Sequence, residues 1–503
     1  MLVARERLSK WHLRLLLRVR ASGAHPVLVL DEGGAPLPRG LSLLRTLEGL
    51  LYGLRSDGPS APASVAGLDV RAAIPADTDV VLDLVGRDGP AALDEAKVLA
   101  LLFDGTSDEM GALSAILDGR APDLLVVDSA TGACVAAGLP TIERRDVVTA
   151  SLDGVLARAA DLCATAIEQV TRGYANETAR VAGVPTSPPR TGSLARFATA
   201  ALSRKLIERI VRLSRDPQHW RVGWRRTGAM DEVAATGRWP AAGYAWLPDD
   251  GQRFYADPFV MHDGGRAYVL CEEYPYATGK GLISAFEIGP DGRASAPRPV
   301  LETGSHLSYP HIFRRDGAVW MIPESSAAGT VELYRADPFP HRWVKESVLI
   351  EGRSLADATM VEWAGRLWLF AASNDAETSS WDALTIHSAT SLLGPWRQHG
   401  PDPALIDAGA ARPAGAMTLR EGRLWRAAQD CTGGYGSGLA LCVVERLDEG
   451  GFAQRVMHRL PPDPAWGAAG SHTINAADGY EVVDAAGPRR AGTSAGTATV
   501  PFR

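Results

Sequence analysis

The sequence predicts a small α/β domain followed by an all-β, five-bladed β-propeller. In the first 170 or so residues, short apolar runs alternate with helical patterns, which is typical of an α/β domain. In the second half, a strand–turn–strand unit recurs five times, with turn glycines 48 to 57 residues apart. A period near 50 residues built from antiparallel strands is typical of a β-propeller. The turn glycines are Gly265, Gly317, Gly365, Gly422 and Gly479.

The N-terminal domain is predicted over residues 1–170, with a largely parallel sheet. Amphipathic stretches separate its apolar runs, and one of them, SKWHLRLLLRVRAS, has Ser9 as its expected N-cap and Gly23 just beyond its end. The predicted strands are MLVA, HPVLVL, DVVLDLV, KVLALLF and DLLVVDS.

Three further segments complete the predicted organisation. Residues 171–218 combine a polar, proline-containing linker with a basic helix over 194–215. The arginines of this helix could make weak contact with a membrane surface, but a solvated helix face packed against a neighbour is the favoured interpretation. The propeller is predicted over 219–485, and the small, polar tail 486–503 is expected to be disordered.

Composition excludes several classes of protein. A net charge of −7 argues against a nucleic-acid partner. The five cysteines are scattered without a CxxC pair, so neither a disulfide framework nor a zinc site is expected, and no cofactor motif is present. The N-terminus lacks the features of a signal peptide, and no apolar run is long enough to span a membrane, so a cytoplasmic location is expected. The excess of arginine over lysine suggests a GC-rich bacterial genome.

The repeat spacing predicts where a functional site would lie. The innermost strand of each blade lines the central channel, so equivalent residues at the strand starts converge on one funnel. Eight positions before the turn glycines stand Asp257, Tyr309, Asp357, Ala414 and Ser471. We expect His311, Arg412 and His472, which neighbour these positions, to point toward the same axis or its rim.

Two carboxylates facing each other suit sugar chemistry, because one can act as a base while the other tunes its pKa. The competing interpretation is that Asp257 and Asp357 cap the starts of strands. Further acid candidates are Glu324, Glu272, Glu273 and Asp430, each of which could instead be an ion-pair member at a strand end. The predicted catalytic residues are Asp257, Asp357 and Glu324, and the predicted substrate contacts are Tyr309, His311, His306, Arg412, Gln429, Asp430, Tyr435 and Glu273.

Aromatic side chains could provide stacking platforms for a sugar ring. Trp381 and Trp246 join Tyr309 and Tyr435 as candidates for this role. Packing between blades is the expected role of the other repeat tryptophans, Trp320, Trp368 and Trp425.

The segments YADPF and LADATM resemble the five-bladed glycoside hydrolases of the arabinanase and β-xylosidase type. This resemblance implies that Asp257 is the general base and that Asp357 modulates its pKa. The glutamate that serves as general acid in those enzymes opens the fourth blade, where this sequence reads ARPAGAM and offers Arg412 instead. Arginine cannot protonate a leaving group, because its pKa lies above 12.

A second resemblance covers nearly all of residues 219–485. The motifs HLSYPHIF, MIPES, ARPAGAM and RAAQDCTGGYG resemble the propeller module at the N-terminus of plant glucosamine inositolphosphorylceramide transferases and in bacterial proteins of surface-glycan loci. This resemblance implies a role in glycan or glycolipid biosynthesis, with a sugar, sugar phosphate or glycolipid as ligand.

Arg412 suggests two hypotheses. With His311 and His306 it could clamp a phosphate, which would favour transfer from a phosphorylated or nucleotide-linked sugar. Alternatively, it neutralises Asp257 or Asp357 inside a binding pocket.

The stretch LLFDGTSDEMGALSAILDGRAPDLLVVDSATG resembles the formyltransferase domain that uses tetrahydrofolate-borne formyl groups. That chemistry depends on an Asn, a His and an Asp, yet no histidine occurs from residue 26 to 218. The position that resembles the family's histidine strand reads Leu102-Phe103-Asp104-Gly105. We therefore expect a domain that kept the fold and lost formyl transfer.

Two functions follow from the sequence. The first is sugar transfer or hydrolysis in the propeller funnel, with Asp257 as base. The second is a non-catalytic glycan or sugar-phosphate binding module whose N-terminal domain docks a partner. The sequence leaves the oligomeric state open.

Overall fold

A computed structural model describes residues 1–33, 39–85, 96–173, 218–248 and 250–488. The predicted linker and basic helix from residue 174 to 217 lie outside the described residues, as does the predicted tail from residue 489.

The N-terminal unit alternates strands and helices along the chain. Its elements are β1 (Leu2–Ala4), α1 (Lys10–Ala21), β2 (Leu28–Asp31), α2 (Arg39–Tyr52), β3 (Val70–Arg71), β4 (Val80–Asp83), β5 (Lys97–Phe103), α3 (Glu109–Leu117), β6 (Leu124–Asp128), β7 (Cys134–Leu139) and α4 (Val148–Arg172).

The sheet of this unit has the order β3-β2-β1-β4-β5-β6-β7. The first five strands are parallel, whereas β6 is antiparallel to both β5 and β7. Each of the five segments that the sequence predicts as strands contains one, and β3 and β7 are additional. The α/β alternation is therefore present, but the likeness to formyltransferases is not confirmed. Asp104, in the segment that resembles the family's histidine strand, is buried and pairs with Arg120 at 2.7 Å.

Helix α1 begins where the sequence predicts. Ser9 precedes it with extended backbone, and its N–H donates to His12 Nδ1 at 3.1 Å, which completes a capping box. Trp11 lies in the core and donates its indole N–H to Glu109 at 2.7 Å. Helix α4 packs against β7 and α1 and contributes Val155 and much of its length to the same core.

The second half of the chain is almost entirely β and has a propeller-like arrangement. A short helix, α5 (Val233–Thr236), is the one α-helix described there. The strands up to the second repeat are β8 (Gln218–Arg226), β9 (Ala245–Trp246), β10 (Arg253–Asp263), β11 (Arg266–Pro275), β12 (Leu282–Ile288), β13 (Arg298–Leu301), β14 (Ser308–Arg315), β15 (Ala318–Glu324), β16 (Thr330–Ala336) and β17 (Trp343–Glu351).

The remaining strands follow without an intervening α-helix in the described residues. They are β18 (Leu355–Trp363), β19 (Arg366–Ser373), β20 (Ala383–Ala389), β21 (Arg397–Gln398), β22 (Leu405–Asp407), β23 (Thr418–Arg420), β24 (Arg423–Asp430), β25 (Gly438–Asp448), β26 (Gly451–Leu460), β27 (Ile474–Ala477) and β28 (Tyr480–Pro488).

All five predicted strand–turn–strand units are antiparallel hairpins. Both central residues of each turn have positive φ, as in Asp316 (50°) followed by Gly317 (75°). Two-residue turns of this kind match the right-handed twist of the strands they join, which explains why glycine recurs there.

The predicted count of five separate blades is wrong. Four self-contained four-stranded sheets are present, with the orders β10-β11-β12-β13, β14-β15-β16-β17, β23-β24-β25-β26 and β27-β28-β8-β9. The third repeat, β18–β22, instead belongs to a twelve-stranded sheet that includes the N-terminal unit. The reason is that β22 pairs with β20 on one side and, in parallel, with β7 on the other.

The arrangement is closed by strands from both ends of the described repeat region. β8, which precedes the first repeat, pairs along its whole length with β28, the last strand. Apolar clusters fill the spaces between successive repeats. In one of them Trp224 of β8 packs against Phe286 of the first repeat and beside Val482 of β28.

No helix in the described ranges is both long and apolar enough to cross a membrane. The expected cytoplasmic location remains a prediction.

We predict that Trp224→Ala lowers the free energy of unfolding by about 3–5 kcal/mol, because it leaves a cavity where β8 and β28 close the circle of repeats. Urea unfolding followed by circular dichroism measures this change. Leu419→Ala, at a side chain that is 64% exposed, serves as the control and should change stability by less than about 0.5 kcal/mol. Equal effects of the two substitutions would contradict this account of closure.

Candidate functional site

Three strand starts share an unusual backbone conformation. Asp257, Tyr309 and Asp357 have φ values of 52°, 41° and 55°, in the left-handed region that residues other than glycine rarely adopt. Each lies at a bulge, where the register with the neighbouring strand shifts. Such strained bulges concentrate at functional sites, because they redirect side chains.

Each of these residues donates its backbone N–H to a carboxylate of the preceding repeat. Asp257 donates to Asp484 Oδ2 at 3.2 Å, Tyr309 to Asp257 Oδ2 at 3.2 Å, and Asp357 to Glu324 Oε2 at 3.1 Å. We call this series the carboxylate–amide relay. It runs across β28, β10, β14, β15 and β18, and it gathers the predicted catalytic residues around one channel, which we call the funnel.

Asp257 lies in a hydrogen-bonded group with residues of the last repeat. Its Oδ1 accepts a hydrogen bond from Thr473 Oγ1 at 2.7 Å and lies 3.6 Å from His472 Nδ1, which is 2.5 Å from Asp484 Oδ2. Burial raises the pKa of Asp257, and Asp484 adds to this effect while His472 opposes it. Burial lowers the pKa of His472, but the two aspartates outweigh it and the pKa is raised.

Asp257, His472 and Asp484 each offer a ligand atom within 4.8 Å of the others, which is a spacing that a metal ion could use. In the observed arrangement these atoms interact with one another instead. The predicted absence of a metal or cofactor remains a prediction.

Asp357 and Glu324 form a second carboxyl pair, with Arg412 between them. Arg412 Nε donates to Asp357 Oδ2 at 2.7 Å, and its Nη2 lies 3.8 Å from Glu324 Oε2. Gln429 Nε2 also donates to Asp357 Oδ2, at 3.0 Å. Burial, with the nearby carboxylates, raises the pKa of Asp357 well above its ordinary value. For Glu324, burial is outweighed by Arg412 and by hydrogen bonds, so its pKa is lowered. The pKa values of the two carboxyls are therefore shifted in opposite directions, and the protonated form is favoured more strongly at Asp357 than at Glu324.

Aromatic rings surround this second pair. The Tyr435 ring lies 5.2 Å from Arg412 Cζ and 5.5 Å from the Trp381 ring. Trp220 stacks on His472 at 3.8 Å and meets Tyr435 edge-on at 6.3 Å. Tyr435 and Trp381 are half-buried, so part of each residue remains exposed to solvent.

Neighbouring glutamates on β11 point to opposite sides, as strand geometry requires. Glu272 is buried on the funnel side, 3.3 Å from His306 Nε2, and its pKa is raised well above the ordinary value by burial and then by Asp257. Glu273 instead pairs with Arg253 at 2.5 Å and accepts a hydrogen bond from Ser284 at 2.6 Å. The structure therefore does not place Glu273 in the funnel.

Four other predicted residues have different surroundings from those expected. His311 hydrogen-bonds to the Met360 carbonyl at 3.1 Å and packs between phenylalanine rings. Asp430 pairs with Arg459 at 2.7 Å. Trp246 packs on Trp466, and the hydroxyl of fully buried Tyr309 bonds to Thr359 and to the Gly415 N–H. Hence the side chains of His311 and Tyr309 are buried, and the half-buried Asp430 and Trp246 are engaged by Arg459 and Trp466, so none of the four has the surroundings that were expected.

Two funnel residues, Asp484 and Trp220, were missed by the sequence analysis. Both come from the strands that close the ring, whose pairing no local pattern reveals. A second regular spacing is also present in the sequence, because Glu272, Glu324 and Gln429 each stand seven positions after a turn glycine.

A well-formed cavity among the described residues lies elsewhere. A cleft of ≈ 470 Å³ separates the N-terminal unit, at Tyr52–Pro59 and at Ala150–Gly154, from Ala376–Ser379 and Asp382 of the third repeat. None of the funnel carboxyls lines it.

Residues 245–473 match the family model described as glucosamine inositolphosphorylceramide transferase 1, N-terminal. The chain is 32% identical over 219 residues to glucosamine inositolphosphorylceramide transferase 1 of Oryza sativa subsp. indica, which covers 42% of this chain and 29% of that protein. It is 32% identical over 200 residues to the protein of that name from Arabidopsis thaliana, with coverages of 39% and 26%. The chain thus spans less than a third of these relatives.

These relatives are plant proteins, so they conflict with the bacterial source inferred from composition. The match supports the predicted likeness of the propeller to this module, and it does not include the N-terminal unit.

Similar solved structures include Zg3597, a family 117 glycoside hydrolase from Zobellia galactanivorans, with a TM-score of 0.36 and 12% identity, covering 52% of this chain and 80% of that one. The RS223 β-xylosidase has a TM-score of 0.36 and 12% identity, covering 47% of this chain and 93% of that one. The function proposed below does not depend on these similarities.

We predict that His472 gives the fold a pH dependence. Its raised pKa means that its contribution to stability is complete below the unfolded-state value of about 6.5 and is lost as the pH rises through the folded-state pKa. The difference in unfolding free energy between wild type and His472→Gln should therefore shrink from about pH 6 to about pH 9.

The control is His387→Gln, at a histidine whose pKa burial lowers to about 4. Its contribution has the opposite sign, because neutral His387 stabilises the fold above pH about 6.5 and loses this advantage as the pH falls. Urea titrations at several pH values distinguish the two. A constant difference for His472→Gln would refute the predicted coupling to Asp484 and Asp257.

Proposed function

We propose that the funnel is a carbohydrate site at which a glycosyl group is transferred or hydrolysed. The observation that carries this proposal is the pair of Asp357 and Glu324, which Arg412 contacts, whose pKa values are shifted in opposite directions, and which interacts electrostatically with Asp257. The similarity of residues 245–473 to the N-terminal part of glucosamine inositolphosphorylceramide transferase 1, whose name includes the sugar glucosamine, supports a sugar ligand.

The Asp357–Glu324 pair supplies the acid in this proposal. A carboxyl that stays protonated near neutral pH can give its proton to the oxygen of a leaving group. The raised pKa of Asp357 keeps a proton available, and ionised Glu324 accepts the hydrogen bond of its partner's backbone. The pair titrates as one unit, so we assign the proton to the pair and not to one residue. It fills the role for which the fourth repeat, with Arg412, has no carboxyl.

Asp257 is the proposed base. Thr473 and the Tyr309 N–H hold its two oxygens in fixed orientation, and Asp484 lies on its far side. An oriented carboxylate of this kind can take the proton of an attacking water or acceptor hydroxyl. A half-buried wall of Tyr435 and Trp381 would stack against the sugar ring.

The charges favour an uncharged sugar over a phosphate at the centre of the funnel. Arg412 already donates Nε to Asp357 and Nη1 to Ser380 Oγ at 2.7 Å, so its fork is largely occupied. Among the described funnel residues, carboxyl groups outnumber the cations Arg412 and His472. His311, one of the two proposed partners in a phosphate clamp, lies in the core. We therefore set the clamp hypothesis aside in favour of recognition through sugar hydroxyls.

A non-catalytic binding module is the second candidate. The specific observation in its favour is that both oxygens of Asp257 accept hydrogen bonds within the protein while its side chain is only 8% exposed. In that case the carboxylate–amide relay would be purely structural, and the aromatic wall would do the binding.

Substitution at the two carboxyl centres separates these candidates. We predict that Glu324→Gln and Asp257→Asn each lower turnover by about 10²–10⁴-fold, since each removes one proton-transfer group. Affinity for the same ligand should change only a few-fold. Turnover of aryl glycosides, sugar phosphates and nucleotide sugars is measured in parallel with calorimetric binding.

Glu332→Gln is the matched control, because Glu332 is a buried glutamate of the same repeat that bonds to Tyr334 and Lys345 outside the funnel. It should leave turnover unchanged. Binding without turnover in the wild type on every probe would favour the binding module, and the absence of both would reject a carbohydrate site.

A further inference from the structure

The loop over residues 374–382, between β19 and β20, contacts both the N-terminal unit and the funnel. We infer that Arg158, on helix α4 of the N-terminal unit, positions the funnel residues Arg412 and Trp381 through this loop. The N-terminal unit is then a working part of the propeller site and not only a docking domain. This inference deepens the proposed function, on which its activity readout rests, whereas its structural readout stands alone.

Arg158 donates hydrogen bonds to residues at both ends of the loop. Its Nε donates to Asp382 Oδ1 at 2.9 Å, and its Nη2 donates to the carbonyl of Ser373 at 3.2 Å and to that of Ser379. Its Nη1 donates to Asp161 on the same helix at 2.9 Å, which fixes the direction of the guanidinium. Arg158 is 3% exposed, so these contacts form in a setting from which water is largely excluded.

Two further residues of the N-terminal unit, Thr141 and Arg14, also donate hydrogen bonds to the loop. The Thr141 N–H donates to Asp382 Oδ2 at 2.8 Å, so both oxygens of this aspartate are bound by the N-terminal unit. Arg14 donates to Asp375 at 2.7 Å and to Glu377 at 3.0 Å in the first half of the loop.

Ser380 and Trp381, which lie between loop positions that Arg158 contacts, in turn contact residues of the funnel. Ser380 Oγ accepts a hydrogen bond from Arg412 Nη1 at 2.7 Å, and the Trp381 ring lies 5.5 Å from that of Tyr435. Both residues stand between Ser379 and Asp382, the two loop positions that Arg158 holds. The connection from Arg158 to Arg412 therefore runs through only two residues, Ser379 and its chain neighbour Ser380.

Apolar packing does little to fix this loop. Residues 374–377 are exposed, and Ala376–Ser379 line the ≈ 470 Å³ cleft that faces the N-terminal unit. Segments with few buried apolar contacts open readily unless polar contacts hold them. The charged contacts of Arg158 and Arg14 supply that restraint.

Arginine is required at this position for a geometric reason. Its planar fork serves two carboxylates and two carbonyls at once, which a lysine ammonium cannot reproduce. Arg158→Lys keeps the charge that Asp382 and Asp161 need but loses the contacts with the loop carbonyls. It therefore tests positioning without leaving the buried aspartates unpaired.

Hydrogen–deuterium exchange of the full chain provides the first test. We expect Arg158→Lys to raise exchange about tenfold over 374–382 and also over 429–435, where Tyr435 lies. The matched control is Arg353→Lys, because Arg353 precedes the same repeat and pairs with Asp402 at 2.6 Å away from the loop. Faster exchange confined to 374–379, or equal in the two variants, would overturn the inference.

Ser380→Ala breaks the link to Arg412 while leaving Arg158 in place. It should raise exchange over 429–435 with little change at the ends of the loop. If Arg158→Lys fails to fold, Ser380→Ala and Arg14→Gln still decide the matter, since both act on more exposed parts of the same connection. Unchanged exchange near Tyr435 in both of these variants would also overturn the inference.

The activity test uses whichever glycoside or nucleotide sugar the wild type turns over. Arg412 lowers the pKa of both Asp357 and Glu324, so a displaced Arg412 should move the alkaline limb of the pH profile, where the acid loses its proton, to higher pH. Turnover should fall by about 10²-fold in Arg158→Lys, as expected for a misplaced catalytic group. A fall in turnover with an unchanged pH profile would indicate a merely structural role. If the wild type turns over no probe, the proposed function fails, and the exchange experiment still tests the positioning role.

Discussion

The hydrogen bond from a left-handed backbone N–H to a buried carboxylate of the preceding repeat is the interaction on which this architecture depends. It recurs at Asp257, Tyr309 and Asp357, with Asp484, Asp257 and Glu324 as acceptors. Each such bond joins two repeats, provides a partner for the backbone N–H at a bulge, and holds a carboxylate in the funnel. A buried carboxylate without a partner lowers the stability of the fold. The hydrogen bonds therefore both stabilise these carboxylates and fix their positions and orientations.

The buried charged residues of the funnel form two groups, each with one cation and two carboxyls. His472 lies between Asp257 and Asp484, and Arg412 lies between Asp357 and Glu324. In each group one cation serves two carboxyls, so one proton or one uncompensated charge remains. The proposed proton transfer relies on that imbalance, since a fully neutralised pair would neither give nor take a proton near neutral pH. It also accounts for the opposite pKa shifts of Asp357 and Glu324.

The N-terminal unit and the third repeat share one sheet and one buried ion-pair network. Pairing of β22 with β7 continues the hydrogen-bonded ladder between them, and Arg158 contributes its charge to Asp382 across the same boundary. This shared edge explains why the third repeat is not a separate blade. It also places the loop over 374–382 between helix α4 and the funnel, so the two halves of the chain form one mechanical unit.

The sequence by itself determined the hairpins, their turn glycines and the strand starts, because these depend on local periodicity and on the conformational freedom of glycine. From the repeat spacing it predicted that Asp257, Asp357 and Arg412 line the funnel, and it named Glu324 and Gln429 as candidates without using that spacing. Only the tertiary structure decided that Glu272 and not Glu273 faces the channel, that Arg412 pairs with Asp357, and that Asp484 and Trp220 complete the site. It alone also joined β22 to β7. Those features arise from contacts between different strands, some of them more than 200 residues apart, and a one-residue change of register reverses the face of every side chain, so no local pattern specifies them.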